Sequence, residues 1–188
     1  MEGYDTYSPA ATKVLFDSRQ VSHIFPGLSP EDDSNTSDEP IQNIGRISLS
    51  GAQSKFSVIV GDDNNLRYTR EGEQGTYILK PRPIGYQIIN KDYCAANEHV
   101  TMQIASQVYG IETAPNALCF FEDGKAAYIT RRFDVYPGGK YKQEDFAALL
   151  GWSKDNGGRL FKYDKSSYEE CAELIHKYVK AALIDIRR

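Results

Sequence analysis

The apolar positions of this chain fall in short, separated groups, and their spacing changes along it. Phe56–Val60 (FSVIV) is a run rich in β-branched residues. Gly61–Asn65 (GDDNN) has turn chemistry and Leu66–Thr69 follows it, which predicts a hairpin. Thr76–Leu79 (TYIL) reads as a third strand, closed by Lys80 and stopped by Pro81 and Pro83. Over Asp92–Tyr109 the period lengthens. Ala96, Val100, Ile104 and Val108 recur every four residues, the spacing of one helix face, and Gly110 is placed to end the helix. Ala117–Phe121, the turn EDGK and Ala127–Phe133 predict a second hairpin. Gly138-Gly139 breaks the chain, and Gln143–Leu150 reads as a short helix before Gly151. Strands, one helix, more strands and then helices is an α+β order, with an antiparallel sheet carrying one helix.

The two ends read differently. Residues 1–43 are expected to form an N-terminal extension. Within it Ser29–Pro40 (SPEDDSNTSDEP) has five acidic residues, two prolines and no basic residue, the composition of a mobile loop. Val14–Phe16 and Ile24–Phe25 are apolar enough to pack on something. At the other end Ser167-x-x-Glu170 predicts a capping box, and Cys171, Leu174, Ile175, Tyr178, Ala182, Leu183 and Ile186 form one apolar helix face behind it. That helix is expected to run to Arg187-Arg188 without a terminator, so the fold is expected to continue beyond the chain. The apolar face would meet a partner surface or make the chain self-associate. The resulting division is 1–43, 44–136 and 137–188.

Composition narrows the function classes. Among 188 residues, 22 Lys and Arg face 26 Asp and Glu, a net charge of −4, which argues against a bulk electrostatic grip on nucleic acid. No apolar run approaches the roughly 20 residues that cross a bilayer, so no membrane partner is expected. The three cysteines, Cys94, Cys119 and Cys171, are too few and too scattered for a disulfide framework or a zinc site. They read as thiols of a reducing cytoplasm.

Three segments carry candidate chemistry. Arg46–Lys55 (RISLSGAQSK) sets one Gly and small hydroxyl residues between strand-like pieces. Its backbone could offer N–H groups to phosphate, or it could be an ordinary Ser-rich turn. Lys80 ends a strand, where a lysine can meet ATP phosphates or simply reach solvent. Glu98 on the following helix could hold that lysine or be solvated beside His99. Ile129–Asp134 (ITRRFD) leaves a strand as either a hinge or a surface charge cluster. His23, His99 and His176 lack metal-ligand spacing.

Taken in order, RISLSGAQSK, YILKP, NEH (Asn97–His99), ITRRFD, QEDFAALLG (Gln143–Gly151) and the KY…SYEE stretch (Lys162–Glu170) resemble the HipA family over roughly residues 44–180. These are serine/threonine kinase toxins of bacterial toxin–antitoxin modules, and the S-L-S-G segment looks closest to the short HipT-type members. The resemblance implies a kinase-like N-lobe over 44–136 running into the first helices of an incomplete C-lobe. It implies ATP contacts at Gly51, Ala52, Gln53, Lys80, Glu98, Arg131 and Phe133, the last two in the adenine hinge. It also implies autophosphorylation at Ser48 and Ser50. ATP with Mg²⁺ would be the cofactor and an antitoxin protein the partner, with a small N-subdomain-like partner as a further possibility. A tRNA synthetase would be the substrate. Two departures stand against full activity: Val135 replaces the basic residue usual after RFD, and no D-x-H/Q-x-K-N-like catalytic loop or metal-binding Asp follows the last helix. The chain is therefore expected not to be catalytic alone, and a non-catalytic module docking on a kinase or antitoxin is the alternative.

Overall fold

The computed structural model describes residues 9–30, 53–83, 89–158, 160–180 and 182. The chain divides into two compact units, Met1–Phe133 and Asp134–Arg188.

The first unit is built on a six-stranded sheet in the order β1-β5-β6-β4-β2-β3. Its strands are β1 (Ile24–Phe25), β2 (Phe56–Val60), β3 (Leu66–Tyr68), β4 (Tyr77–Pro81), β5 (Asn116–Phe121) and β6 (Ala126–Arg131). Pairing is antiparallel throughout except at β1, which lies parallel to β5 with Ile24 opposite Phe120. The α+β architecture expected from the sequence is therefore observed, and both hairpins form within a residue or two of their expected limits. Alternation sorts the side chains. On one face Tyr77, Leu79, Phe56, Val58, Ala127 and Ile129 join Leu15, Phe16 and Phe25 in the main core. On the other face Leu118 and Tyr128 pack with Ala95 of helix α2 (Cys94–Gln107).

Two expectations need correction. Residues 9–30 are not an appended extension. Helix α1 (Pro9–Leu15) and strand β1 belong to the sheet, with Leu15, Phe16 and Phe25 buried and only Val14 of the two apolar groups strongly exposed. The acidic residues 31–40 lie outside the described residues. Helix α2 forms where its four-residue repeat predicts, after a 3₁₀ turn at Lys91–Tyr93, and Gly110 takes the left-handed conformation beyond its end (φ 63°). Its buried side, however, is Ala95 and His99, while Val100, Ile104 and Val108 face solvent.

The second unit is a small hairpin, β7 (Val135–Tyr136) and β8 (Gly139–Lys140), followed by helices α3 (Phe146–Leu149), α4 (Lys154–Gly157), α5 (Phe161–Asp164) and α6 (Tyr168–Tyr178). The predicted capping box is present: the Ser167 side chain accepts from Glu170 N–H, and Glu170 Oε2 accepts from Ser167 N–H at 2.8 Å. Helix α6 ends sooner than the apolar stripe suggests. Val179 is extended (φ −106°, ψ 130°), which takes the chain out of the helix before Ala182. Leu183 and Ile186 lie outside the described residues.

Candidate functional site

The site grows out of the parity of β4. Tyr77, Leu79 and Pro81 point into the main core, so Ile78 and Lys80 point to the α2 face. There Lys80 pairs across β6 with Tyr128, and its Nζ lies 5.2 Å from the centre of the Tyr128 ring, a cation–π distance. Tyr128 is nearly fully buried, and burial pushes its hydroxyl up to about 12, so it stays a neutral platform.

Helix α2 brings the carboxylate. His99 Nδ1 lies 2.8 Å from Asn116 Oδ1. Asn116 Nδ2 donates to Ala114 O at 2.8 Å, which leaves Oδ1 as acceptor and assigns the proton to Nδ1. This buried bond ties α2 to β5, and the preceding residue, Glu98, then accepts a hydrogen bond from Lys80 Nζ through Oε1. Side-chain exposures of 21% and 31% keep the pair only partly hydrated. Its attraction is therefore stronger than that of a surface ion pair. A second bridge, Arg82–Asp92 at 3.2 Å, joins the end of β4 to the turn before α2.

Gln53 closes the third side. Its Nε2 donates to Pro81 O at 2.7 Å, one residue beyond Lys80. Ser48, Ser50, Gly51 and Ala52 lie outside the described residues. Lys55 joins the group, a residue the motif reading did not single out. Burial lowers its proton affinity most, Lys80 lowers it further and Glu98 raises it, which places all three within electrostatic reach. Strand parity was the signal for it, but parity acquires meaning only when the pairing register is known.

The structure does not bring every expected residue here. Arg131 leaves β6 on the opposite face. There it donates to the Val14 and Leu15 carbonyls at the end of α1 and pairs with Asp17 at 2.9 Å. Only its backbone is shared with the segment leading to Phe133, whose ring is 78% exposed at the boundary of the first unit. His99 is a buried structural residue. Two lysines and one carboxylate suit phosphate oxygens, whereas no cluster of His, Cys, Asp and Glu among the described residues could hold a metal ion. No helix among them is long and apolar enough to cross a membrane.

Comparison with known proteins fixes the relationship. Residues 47–188 match the model of the HipA-like C-terminal domain. The chain belongs to this family. A protein of Haemophilus influenzae described as a "Putative kinase" is 30% identical over 148 residues, covering 75% of the HipA-like chain and 40% of the relative. Among solved structures, HipA of the Shewanella oneidensis MR-1 toxin–antitoxin system, determined with HipB and operator DNA, matches with a TM-score of 0.43 and 23% identity. That match covers 76% of the HipA-like chain and 34% of the other. The chain thus spans about two fifths of the length of the curated relative.

Proposed function

We propose that the chain supplies the ATP-binding part of a HipA-type serine/threonine protein kinase of a toxin–antitoxin module. The Lys80–Glu98 pair carries this reading. An ammonium group on a central strand, oriented by a carboxylate on the adjoining helix, suits the α- and β-phosphates of ATP. In this reading Lys80 offers the charge, Glu98 aims it, and Gly51, Ala52 and Gln53 add contacts to ATP. The backbone from Arg131 to Phe133 lies beside adenine. Phosphate on Ser48 or Ser50 would add about −1.5 to −2 charges next to those of ATP, which favours an open loop and an inactive state. A HipB-like antitoxin partner and a tRNA synthetase substrate belong to the same proposal.

When bound, Mg²⁺ would neutralise phosphate charge. The proposal concerns ATP binding by this chain and does not extend to phosphoryl transfer. A second reading, a non-catalytic module docking on a kinase or antitoxin, draws on the exposed stripe of Val100, Ile104 and Val108.

The two separate by thermal shift. With ATP·Mg²⁺ at about 100 times its Kd, the nucleotide reading expects a rise of several degrees in Tm, abolished in Lys80→Ala. No rise at millimolar ATP removes it and leaves the docking module.

A further inference from the structure

The carbonyls at the end of α1 explain where the Arg131 side chain goes. A helix leaves its last C=O groups without intrahelical donors. Here the chain itself serves some of them. Phe16 N–H donates to Thr12 O at 3.0 Å and Ser18 N–H to Lys13 O at 2.8 Å, and Arg19 N–H then donates to Phe16 O at 3.0 Å. Asp17 and Ser18 are both left-handed (φ 50° and 65°), a conformation that residues other than glycine keep only where their surroundings hold it. Val14 O and Leu15 O accept from the Arg131 guanidinium instead, and Asp17 pairs with it at 2.9 Å. A cation at this end also complements the helix dipole. A residue of β6, 116 positions beyond Leu15, thus caps α1.

The backbone of Arg131 is where the chain prepares to leave the sheet. Its N–H donates to Pro115 O at 2.9 Å, and the Arg132 N–H donates to Thr76 O at 2.9 Å. Phe16, next to the capped carbonyls, packs edge-on against Tyr77 at 5.4 Å, and Tyr77 lies opposite Arg131 in the β4–β6 register. Helix α1, strand β4 and the end of β6 therefore meet around one guanidinium.

We infer that Arg131 is a positioning residue for the nucleobase: by capping α1 it fixes the direction in which residues 131–133 leave β6. The N-terminal helix then sets the affinity for the base and leaves the affinity for the polyphosphate alone. This rests on the nucleotide reading above, in which that backbone lies beside adenine. The Arg131 side chain acts through α1, since it shares a sheet face with Tyr77 while Lys80 meets Glu98 on the other.

Titration calorimetry on the full chain separates the two affinities, with ATP, inorganic triphosphate and adenosine as probes. Wild type should bind ATP more tightly than triphosphate. Arg131→Met, which keeps the aliphatic stem, should weaken ATP and adenosine about 3- to 10-fold, the range for one hydrogen bond, and leave triphosphate unchanged. Arg131→Lys can still offer one charge to a carbonyl and should recover part of the loss. In Arg131→Met the Phe16 and Ser18 amides should exchange with solvent faster than in wild type. A purely structural cap would give faster exchange with ATP and triphosphate both bound as in wild type, and that pattern overturns the inference. Equal weakening of both ligands overturns it as well, and in either case the nucleotide reading stands on Lys80. The same split in Arg131→Lys decides the matter if Arg131→Met does not fold. If wild type binds ATP no more tightly than triphosphate, residues 131–133 do not meet the base and the inference falls while the polyphosphate site survives. If wild type binds neither, the nucleotide reading falls with it.

Discussion

Between Met1 and Phe133 apolar side chains are enclosed on both faces of one sheet, with Leu15, Val58, Leu66, Leu79, Ala127 and Ile129 fully buried. Between Asp134 and Arg188 the buried apolar residues, among those described, are Ala147, Leu174 and Ala182, while Phe146, Leu149, Leu160, Tyr168, Tyr178 and Val179 stay open to solvent. The first unit is held by pairings distant in sequence. The second relies on local devices: Asp145 capping α3, the Ser153–Asn156 box of α4 and the Ser167–Glu170 box of α6. Chemistry that needs two charges at a fixed separation belongs on the first kind of scaffold, because a strand register is set by every pair in the ladder. The candidate phosphate residues of known placement lie there.

The contrast can be broken most forcefully at the cores. Leu79→Ala should cost about 3 kcal/mol, within the range for a fully buried leucine, whereas Leu174→Ala should cost about 1 kcal/mol. Urea unfolding followed by far-ultraviolet circular dichroism and by Trp152 fluorescence measures both. Equal losses would erase the distinction between the units. The next effect belongs to the ion pair. Glu98→Gln leaves the half-buried Lys80 ammonium without its carboxylate and should cost roughly 1.5 kcal/mol, between the values for exposed and buried pairs. The same unfolding experiment reads it, and wild-type stability in the variant would reduce the pair to a surface contact.

A smaller and more local change is expected from Ser167→Ala. Loss of the cap should release about 1 kcal/mol of protection in α6 alone. Hydrogen exchange should show faster amides across Tyr168–Tyr178 with β4 unchanged, and a loss of protection in both would mean that the two units open together. The smallest effect concerns the β3–β4 connection. Arg67 donates to both Glu73 oxygens at 2.7 Å and, with the Arg70 N–H, holds that carboxyl at about 2 against its ordinary 4.5. A carboxyl depressed in the folded state stabilises above its unfolded value and stops doing so as pH falls through the folded one. The stabilisation should therefore be present above pH 4.5 and be lost as pH falls through about 2. A carbon-13 titration of Glu73 with a midpoint near 4.5 would contradict the contact.

Much of the sheet was legible because most of its strands are short, largely apolar runs bounded by Gly, Asp, Asn and Pro, all local signals. Strand β1 was not, since two residues, Ile24 and Phe25, acquire strand character only by lying against β5 far along the chain. The helical period of α2 was legible but its buried side was not. A pattern reader expects valine and isoleucine inside, whereas this sheet takes Ala95 and a histidine bonded to Asn116. Lys80 was legible as a strand-end lysine, and its pairing with Glu98 follows from the docking of α2. The direction of the Arg131 side chain was not legible, because adjacent residues on a strand face opposite ways. One step in ITRRFD separates the α2 face from the end of α1.

The most direct measurement is an amide chemical-shift titration of the isotopically labelled chain with ATP·Mg²⁺. The account predicts saturable shifts at Gln53, Lys80, Glu98 and Tyr128, absent in Lys80→Ala, with the amides of α6 still. Shifts confined to other surfaces, or none at millimolar nucleotide, would contradict it.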